Sequence, residues 1–196
     1  ARKVAEANGV TCCDTFTGFK FMAEKKNALE ASGEGKVIFS YEESYGYMLG
    51  DYVRDKDAVT ASMLLTEMAA WYAAQGMTLF DALNALYEKY GWYAEKTHNL
   101  VMPGLDGLRD MAKLMKGLRE NPPAEISDVK VVVRKDYTDG TVTDCVTGAQ
   151  SRMELSGSNV LRFELADGTV ILARPSGTEP KIKVYILTRG TDAASS

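Results

Sequence analysis

Read for the spacing of apolar positions, the first half of the chain predicts helices alternating with short strands. Residues 1–7 have helical composition and meet a stop at Asn8-Gly9. Val10-Thr11-Cys12-Cys13 is a strand candidate, and Val37-Ile38-Phe39 is a short apolar run suited to a buried strand. Between them, 19–31 reads as a helix ending near Gly33. The strongest helix is predicted over 57–75. There Leu64, Met68 and Trp71 form one stripe, and Leu65, Ala69 and Tyr72 form the next. A helix apolar over that much of its circumference is expected to pack on two sides, and Gly76 stops it. Thr78-Leu79-Phe80-Asp81 resembles a capping box with Asp in place of Glu. Leu83, Leu86, Tyr87 and Tyr90 then mark a buried face that ends at Gly91.

The pattern changes between Tyr93 and Leu105. Thr97 to Met102 reads as a strand, and Pro103-Gly104 breaks it. Leu108, Met111, Met115 and Leu118 give a helical stripe that Asn121-Pro122-Pro123 terminates. Beyond it the period is two: Val129, Val131 and Val133; Leu161, Phe163 and Leu165; Ile182, Val184 and Ile186. Ala166-Asp167-Gly168 is a hairpin signal. The expectation is an α/β domain over 1–93 followed by an α+β domain over 94–196, the second built on a mainly antiparallel sheet with flanking helices.

Composition narrows the function classes. The 196 residues are 45% hydrophobic and 26% charged, which argues against wholesale disorder. A net charge of -4 lacks the basic footprint of a nucleic-acid binder. One histidine, His98, removes multi-His metal sites. Cys12, Cys13 and Cys145 offer neither a disulfide framework nor a CxxC zinc site, which fits a reducing, cytoplasmic setting. Signal-peptide and membrane-spanning patterns are missing from the sequence, so no membrane partner is expected. The helical opening without a start signal leads us to expect part of a longer protein.

Three segments carry candidate chemistry. Arg174-Pro175-Ser176-Gly177-Thr178-Glu179-Pro180-Lys181 joins two strand candidates and gathers hydroxyls, a glycine and cations in one turn. Phosphate recognition needs those parts: exposed N–H groups, hydroxyl donors and a guanidinium fork. Lys183 adds charge from the following strand. A plain polar hairpin connection fits the same residues, and the Walker ending is absent. The second segment is Ser40-Tyr41-Glu42-Glu43-Ser44-Tyr45-Gly46-Tyr47, directly after a strand candidate. Ligands gather at strand carboxyl ends in α/β sheets, and carboxylates there hold sugar hydroxyls; taken alone, the residues favour a loop with two solvated glutamates. The third is Thr15-Phe16-Thr17-Gly18-Phe19-Lys20, which either presents backbone donors to a ligand or simply starts a helix. Asp51, Asp55 and Asp57 lack the EF-hand order and read as an acidic helix entry.

Taken in order, Thr17-Gly18-Phe19-Lys20, Tyr41-Glu42-Glu43-Ser44-Tyr45-Gly46, Arg54-Asp55-Lys56-Asp57 and the segment from Arg174 to Lys181 resemble the α-D-phosphohexomutase superfamily, in its phosphoglucomutase/phosphomannomutase branch. The resemblance covers essentially the whole chain. It implies most of a third domain, three-layered α/β and partial here, and most of a fourth, C-terminal domain. It implies that Glu42 and Ser44 bind sugar hydroxyls, with Thr17 and Gly18 on a neighbouring substrate loop. Arg174, Ser176, Gly177, Thr178 and Lys183 would bind phosphate, and Lys56 would be a catalytic proton-transfer group. The implied reaction interconverts hexose 1-phosphate and hexose 6-phosphate through a phosphoserine and a bisphosphorylated sugar. Its implied cofactors are Mg2+ and glucose 1,6-bisphosphate.

Two parts of the family pattern are missing from this sequence: a Ser-His-Asn-Pro phosphoserine core and an Asp-Gly-Asp-x-Asp-Arg metal loop. The resemblance therefore implies an intact mutase whose N-terminal domains are partners of this segment, with the segment inactive by itself. The Glu-Glu-Ser-Tyr-Gly wording favours glucose as the hexose. A free-standing sugar-phosphate binding module remains the alternative.

Overall fold

The computed structural model describes residues 1–50, 52–104, 106–177 and 179–192. The chain divides into two compact units, Ala1–Tyr90 and Gly91–Ser196.

The first unit contains α1 (Arg2–Ala7), α2 (Phe19–Ser32), β1 (Phe39–Tyr41), β2 (Tyr47–Leu49), α3 (Ala58–Ala73) and α4 (Leu79–Tyr90). β1 and β2 form an antiparallel hairpin in the register Tyr41↔Tyr47. The expected strand over 10–13 does not form. Val10 turns its N–H back to the Ala5 carbonyl, and the Cys12 carbonyl accepts from Arg2, so these backbone groups are used locally rather than in a ladder. Cys12 is half-buried and Cys13 exposed. Asp57 caps α3 by accepting from the Val59 and Thr60 N–H groups, as its position before the apolar run suggests. The capping box at α4 is reciprocal: the Thr78 N–H donates to Asp81, and the Asp81 N–H donates to the Thr78 hydroxyl. The expected two-sided burial of α3 is corrected by the structure. The helix has no buried residue, and Trp71, on the first of the two stripes, is 59% exposed. Its stripes are only partly covered: Leu64, Ala69 and Tyr72 are half-buried, whereas Leu65, Met68 and Trp71 are exposed.

The second unit contains β3 (Trp92–Val101), α5 (Gly107–Glu120), β4 (Glu125–Ile126), β5 (Val129–Asp136), β6 (Thr141–Asp144), β7 (Gln150–Arg152), β8 (Leu161–Leu165), β9 (Val170–Pro175) and β10 (Lys181–Gly190). The sheet runs β3-β10-β9-β8-β5-β6-β7, with β4 added to β5. Every pairing is antiparallel. The strict alternation in β8 buries Leu161, Phe163 and Leu165 on one face. Ala173 and Ile182 join that face, and the α5 stripe of Met111 and Met115 closes over it. Each buried Leu, Ile, Phe or Met among them contributes roughly 1.5–3 kcal/mol of transfer free energy. Arg119, at the end of α5, donates to Asp136 at 2.8 Å and to Asn159 at 2.6 Å, fastening the helix to the sheet rim.

At its start, α5 is fixed by close approach. A Cβ on Gly107 would collide with the Met102 carbonyl and lie 2.9 Å from Pro180 Cβ. The Met102 N–H donates to the Pro180 carbonyl at 2.8 Å. Only a residue without a side chain lets α5 begin where β3 ends and where the β9–β10 connection returns.

Candidate functional site

In the first unit the candidate residues meet around one ring. Phe19 opens α2 and is 4% exposed. The Gly18 N–H, just before it, donates to Glu42 Oε1 at 2.6 Å. Glu42 begins the 42–46 loop of the β1–β2 hairpin, and its own N–H donates to the Gly46 carbonyl at 2.9 Å. Gly46 lies flat on the ring: a Cβ there would stand 2.7 Å from Phe19 Cε2. Lys56 completes the cluster with Nζ 5.7 Å from the Phe19 ring centroid. Gly18, the Glu42 loop and Lys56, far apart in sequence, are thus assembled on a single buried side chain. Thr17 and Ser44 are exposed, Ser44 within the hairpin loop.

The charges of this cluster are held in place. A carboxylate facing the first turn of a helix is favoured by the helix dipole, and Glu42 occupies that position at α2. Its Oε2 has no partner among the described residues, which leaves it able to accept from a hydroxyl. Lys56 Nζ lies 3.3 Å from Asp55 Oδ1. The Lys56 N–H, and secondarily its side chain, hold the Asp55 carboxyl below its ordinary pKa. The Lys56 segment is pinned on both sides. The Asp57 N–H donates to the Tyr47 carbonyl at 2.8 Å, and Arg54 pairs with Glu30 at 3.5 Å. Glu30 also pairs with Lys26, whose side chain is wholly buried and donates to the Val37 carbonyl. A buried ammonium is tolerated only when paired and hydrogen-bonded, so this set fixes α2, the approach to β1 and the Lys56 segment together.

The second unit holds the other candidates at the β9–β10 connection. The Ser176 N–H donates to the Lys181 carbonyl at 2.8 Å, and the Ser176 hydroxyl accepts from the Glu179 N–H at 3.3 Å. Gly177 is exposed, and Thr178 lies outside the described residues. A groove of 360 Å³ opens beside this connection, lined by Met111, Met115, Ser158, Asn159, Ser176 and Gly177.

Register then adds what the sequence does not show. Arg174 on β9 stands directly opposite Lys183 on β10. Cross-strand partners share a face, and Ala173 and Ile182 occupy the buried one, so both cations belong to the opposite face of the ladder, while Arg174 also borders the groove beside Met111 and Met115. Like charges directly opposite each other are destabilising. Among the described residues neither is paired with a carboxylate. Arg174 Nη2 donates to the Tyr185 hydroxyl at 3.2 Å, and its buried Nε has no partner. In β3, Asn99 is the register partner of Lys183 on its other side. Sequence reasoning named Arg174 and Lys183 but not Tyr185 or Asn99. The pairing of β3 with β10 joins residues at least 80 apart in sequence, and no local pattern announces it.

Comparison with known proteins agrees in both units. The family model described as phosphoglucomutase/phosphomannomutase, alpha/beta/alpha domain III, matches residues 1–90. The model for the C-terminal domain of the same family matches residues 108–195. The phosphoglucomutase of Staphylococcus aureus strain N315 is 36% identical over 191 residues, covering 97% of this chain and 34% of the relative. That of strain MRSA252 is 35% identical over the same length. Among solved structures, the open form of parafusin, a phosphoglucomutase from Paramecium, shares the fold with a TM-score of 0.58 at 22% identity, over 97% of this chain and 31% of that one. The chain spans about a third of the length of the curated relatives it matches. With domain III in its first unit and the C-terminal domain in its second, the chain belongs to the phosphoglucomutase/phosphomannomutase family.

Proposed function

We propose that this chain is the sugar- and phosphate-gripping part of a phosphohexomutase that interconverts hexose 1-phosphate and hexose 6-phosphate, with glucose as the hexose. The observation that carries the reading is the opposed pair Arg174 and Lys183 beside the Ser176-Gly177 turn. Two cations facing each other without a carboxylate, one with a buried unpartnered N–H, form a seat that a dianion would stabilise. In this reading Arg174, Ser176, Gly177, Thr178 and Lys183 hold the phosphate that is not reacting. Gly18 and Glu42, joined by their hydrogen bond, serve the sugar together with Thr17 and Ser44. Lys56, fixed against Phe19, is the proton-transfer group. Tight seating of both ends of the substrate positions the reacting oxygen for in-line transfer. In this reading the first unit serves sugar recognition and the second phosphate recognition.

The remaining two thirds of a relative's length corresponds to further domains of the same polypeptide, the partners of this segment. The exposed Leu65, Met68 and Trp71 of α3 support such a neighbour. Glucose 1,6-bisphosphate is the intermediate of the intact enzyme. Magnesium is its metal, which in this reading is held by a loop outside this segment. Among the same residues no helix is long and apolar enough to cross a membrane. We assign the intact protein to the cytoplasm, in keeping with its free thiols.

The test is a coupled glucose 1-phosphate assay. The 196-residue chain alone is expected to give no turnover. In the full-length enzyme, Arg174→Ala is expected to lower kcat/KM about tenfold or more, the loss of a charge-assisted pair worth roughly 1.5–3 kcal/mol. Unchanged kinetics would remove phosphate from this site.

A further inference from the structure

We propose that the phosphate seat extends beyond the loop onto the open face of the sheet, with Asn99 as an additional ligand and Tyr185 as the positioning residue of Arg174. The inference rests on the phosphate reading of the preceding subsection. Asn99, Lys183 and Arg174 are successive register partners on β3, β10 and β9, so their side chains stand in one cross-strand row. Directly opposed residues have Cβ atoms about 4.5–5.5 Å apart, the spacing at which neighbouring donors converge on one tetrahedral anion. Asn99 is exposed on the edge strand, where a polar amide has no packing task. It lies in the only cross-strand row that also holds Lys183 and Arg174, and it contributes an uncharged donor to two cationic ones.

Tyr185 acts at one remove. It occupies the neighbouring row, opposite Leu172 and Thr97, and its hydroxyl accepts one Nη2 proton of Arg174. An arginine has five N–H donors in a rigid fork. Securing one of them fixes the plane of the other four, among them the buried Nε–H that lacks an acceptor. The fork is therefore oriented before an anion arrives, and less rotamer freedom is lost on binding. A phosphate monoester is the ligand class that suits this row, since it offers three oxygens to one amide, one ammonium and one guanidinium.

The test is calorimetric titration of the full-length enzyme with inorganic phosphate, alongside the kinetics of the glucose 1-phosphate reaction. Tyr185→Phe keeps the ring and removes the hydroxyl, and Asn99→Ser alters an exposed side chain, so both are expected to fold with unchanged melting temperature. Each is expected to weaken phosphate binding about three- to tenfold, the size of one hydrogen bond. Coupling separates positioning from general packing. In an Arg174→Ala background Tyr185→Phe is expected to have no further effect, whereas Asn99→Ser is expected to retain its full effect. Wild-type phosphate affinity in both single variants, with Arg174→Ala still weakened, would overturn this inference and leave the loop reading intact. Wild-type affinity in Arg174→Ala as well would overturn the loop reading itself. A Tyr185→Phe effect that persists undiminished without Arg174 would overturn the positioning role.

Discussion

The two units solve the same burial problem to different degrees. In the second, the alternating β8 and the stripe of α5 meet, and Leu161, Phe163, Leu165, Met111 and Met115 form a continuous core. In the first, the buried apolar side chains are Phe19, Ala23, Met48 and Ala82, and the most apolar helix, α3, buries none. The second unit has a continuous core, whereas the first is organised locally around Phe19 and leaves apolar side chains of α3 exposed. A hydrophobic period specifies which side of a helix must be covered, but not which part of a polypeptide covers it.

Hydrogen exchange on the 196-residue chain is the broadest way to break this contrast. Amides of β8, β9 and β10 are expected to be protected at least about 100-fold more than those of α3, because opening energies follow local buried contacts. Equal protection would show that the first unit has a core of its own. Substitution sharpens the point. Phe163, 3% exposed, is expected to lose about 3–5 kcal/mol of stability on replacement by Ala. Trp71→Ser, at a 59% exposed position, is expected to cost under about 0.5 kcal/mol by urea denaturation. A large loss at Trp71 would mean that α3 is packed after all.

Within the first unit, Gly46→Ala drives a methyl into the Phe19 ring and is expected to cost about 1–3 kcal/mol while loosening the Glu42 loop. In the full-length enzyme this change should raise KM for the sugar phosphate more than it alters binding of inorganic phosphate. The smallest effect concerns pH in the second unit. Desolvation raises the Asp136 pKa, but the hydrogen bond from Arg119, with the N–H and hydroxyl of Thr138, outweighs it, and the net direction is down. A depressed carboxylate stabilises the fold above its unfolded pKa, about 3.9, and that contribution is lost as pH falls through the folded value. Asp136→Asn is therefore expected to flatten the stability profile below about pH 4 while lowering stability at neutral pH. An unchanged acid limb would remove Asp136 from the account.

Much of this arrangement was legible from local pattern. The α5 stripe, the alternation of β8, the Thr78 capping box and the polar turn after Arg174 all state their roles within a few residues. β3 was legible only in its second half, since an edge strand exposed along most of its length has no alternation to read. β6 and β7 escaped because they are short and polar. The residues of the sugar cluster could be named, but not their convergence on Phe19. Asn99 and Tyr185 gained meaning only through long-range register.

That register has a mechanical side. β3 and β10 are paired over their full ten residues, with Trp92 opposite Gly190 at one end and Val101 opposite Lys181 at the other. The chain thus enters the second unit at the end of the ladder where β10 finishes. A force applied through Trp92 and Gly190 loads the ladder bonds one after another, as in a zipper, rather than all at once in shear. The Trp92–Gly190 end gives first, and the Asn99–Lys183–Arg174 row lies near the end that gives last. Tension arriving through the connection from the first unit would fray the far end of the sheet well before it reached the residues that grip an anion.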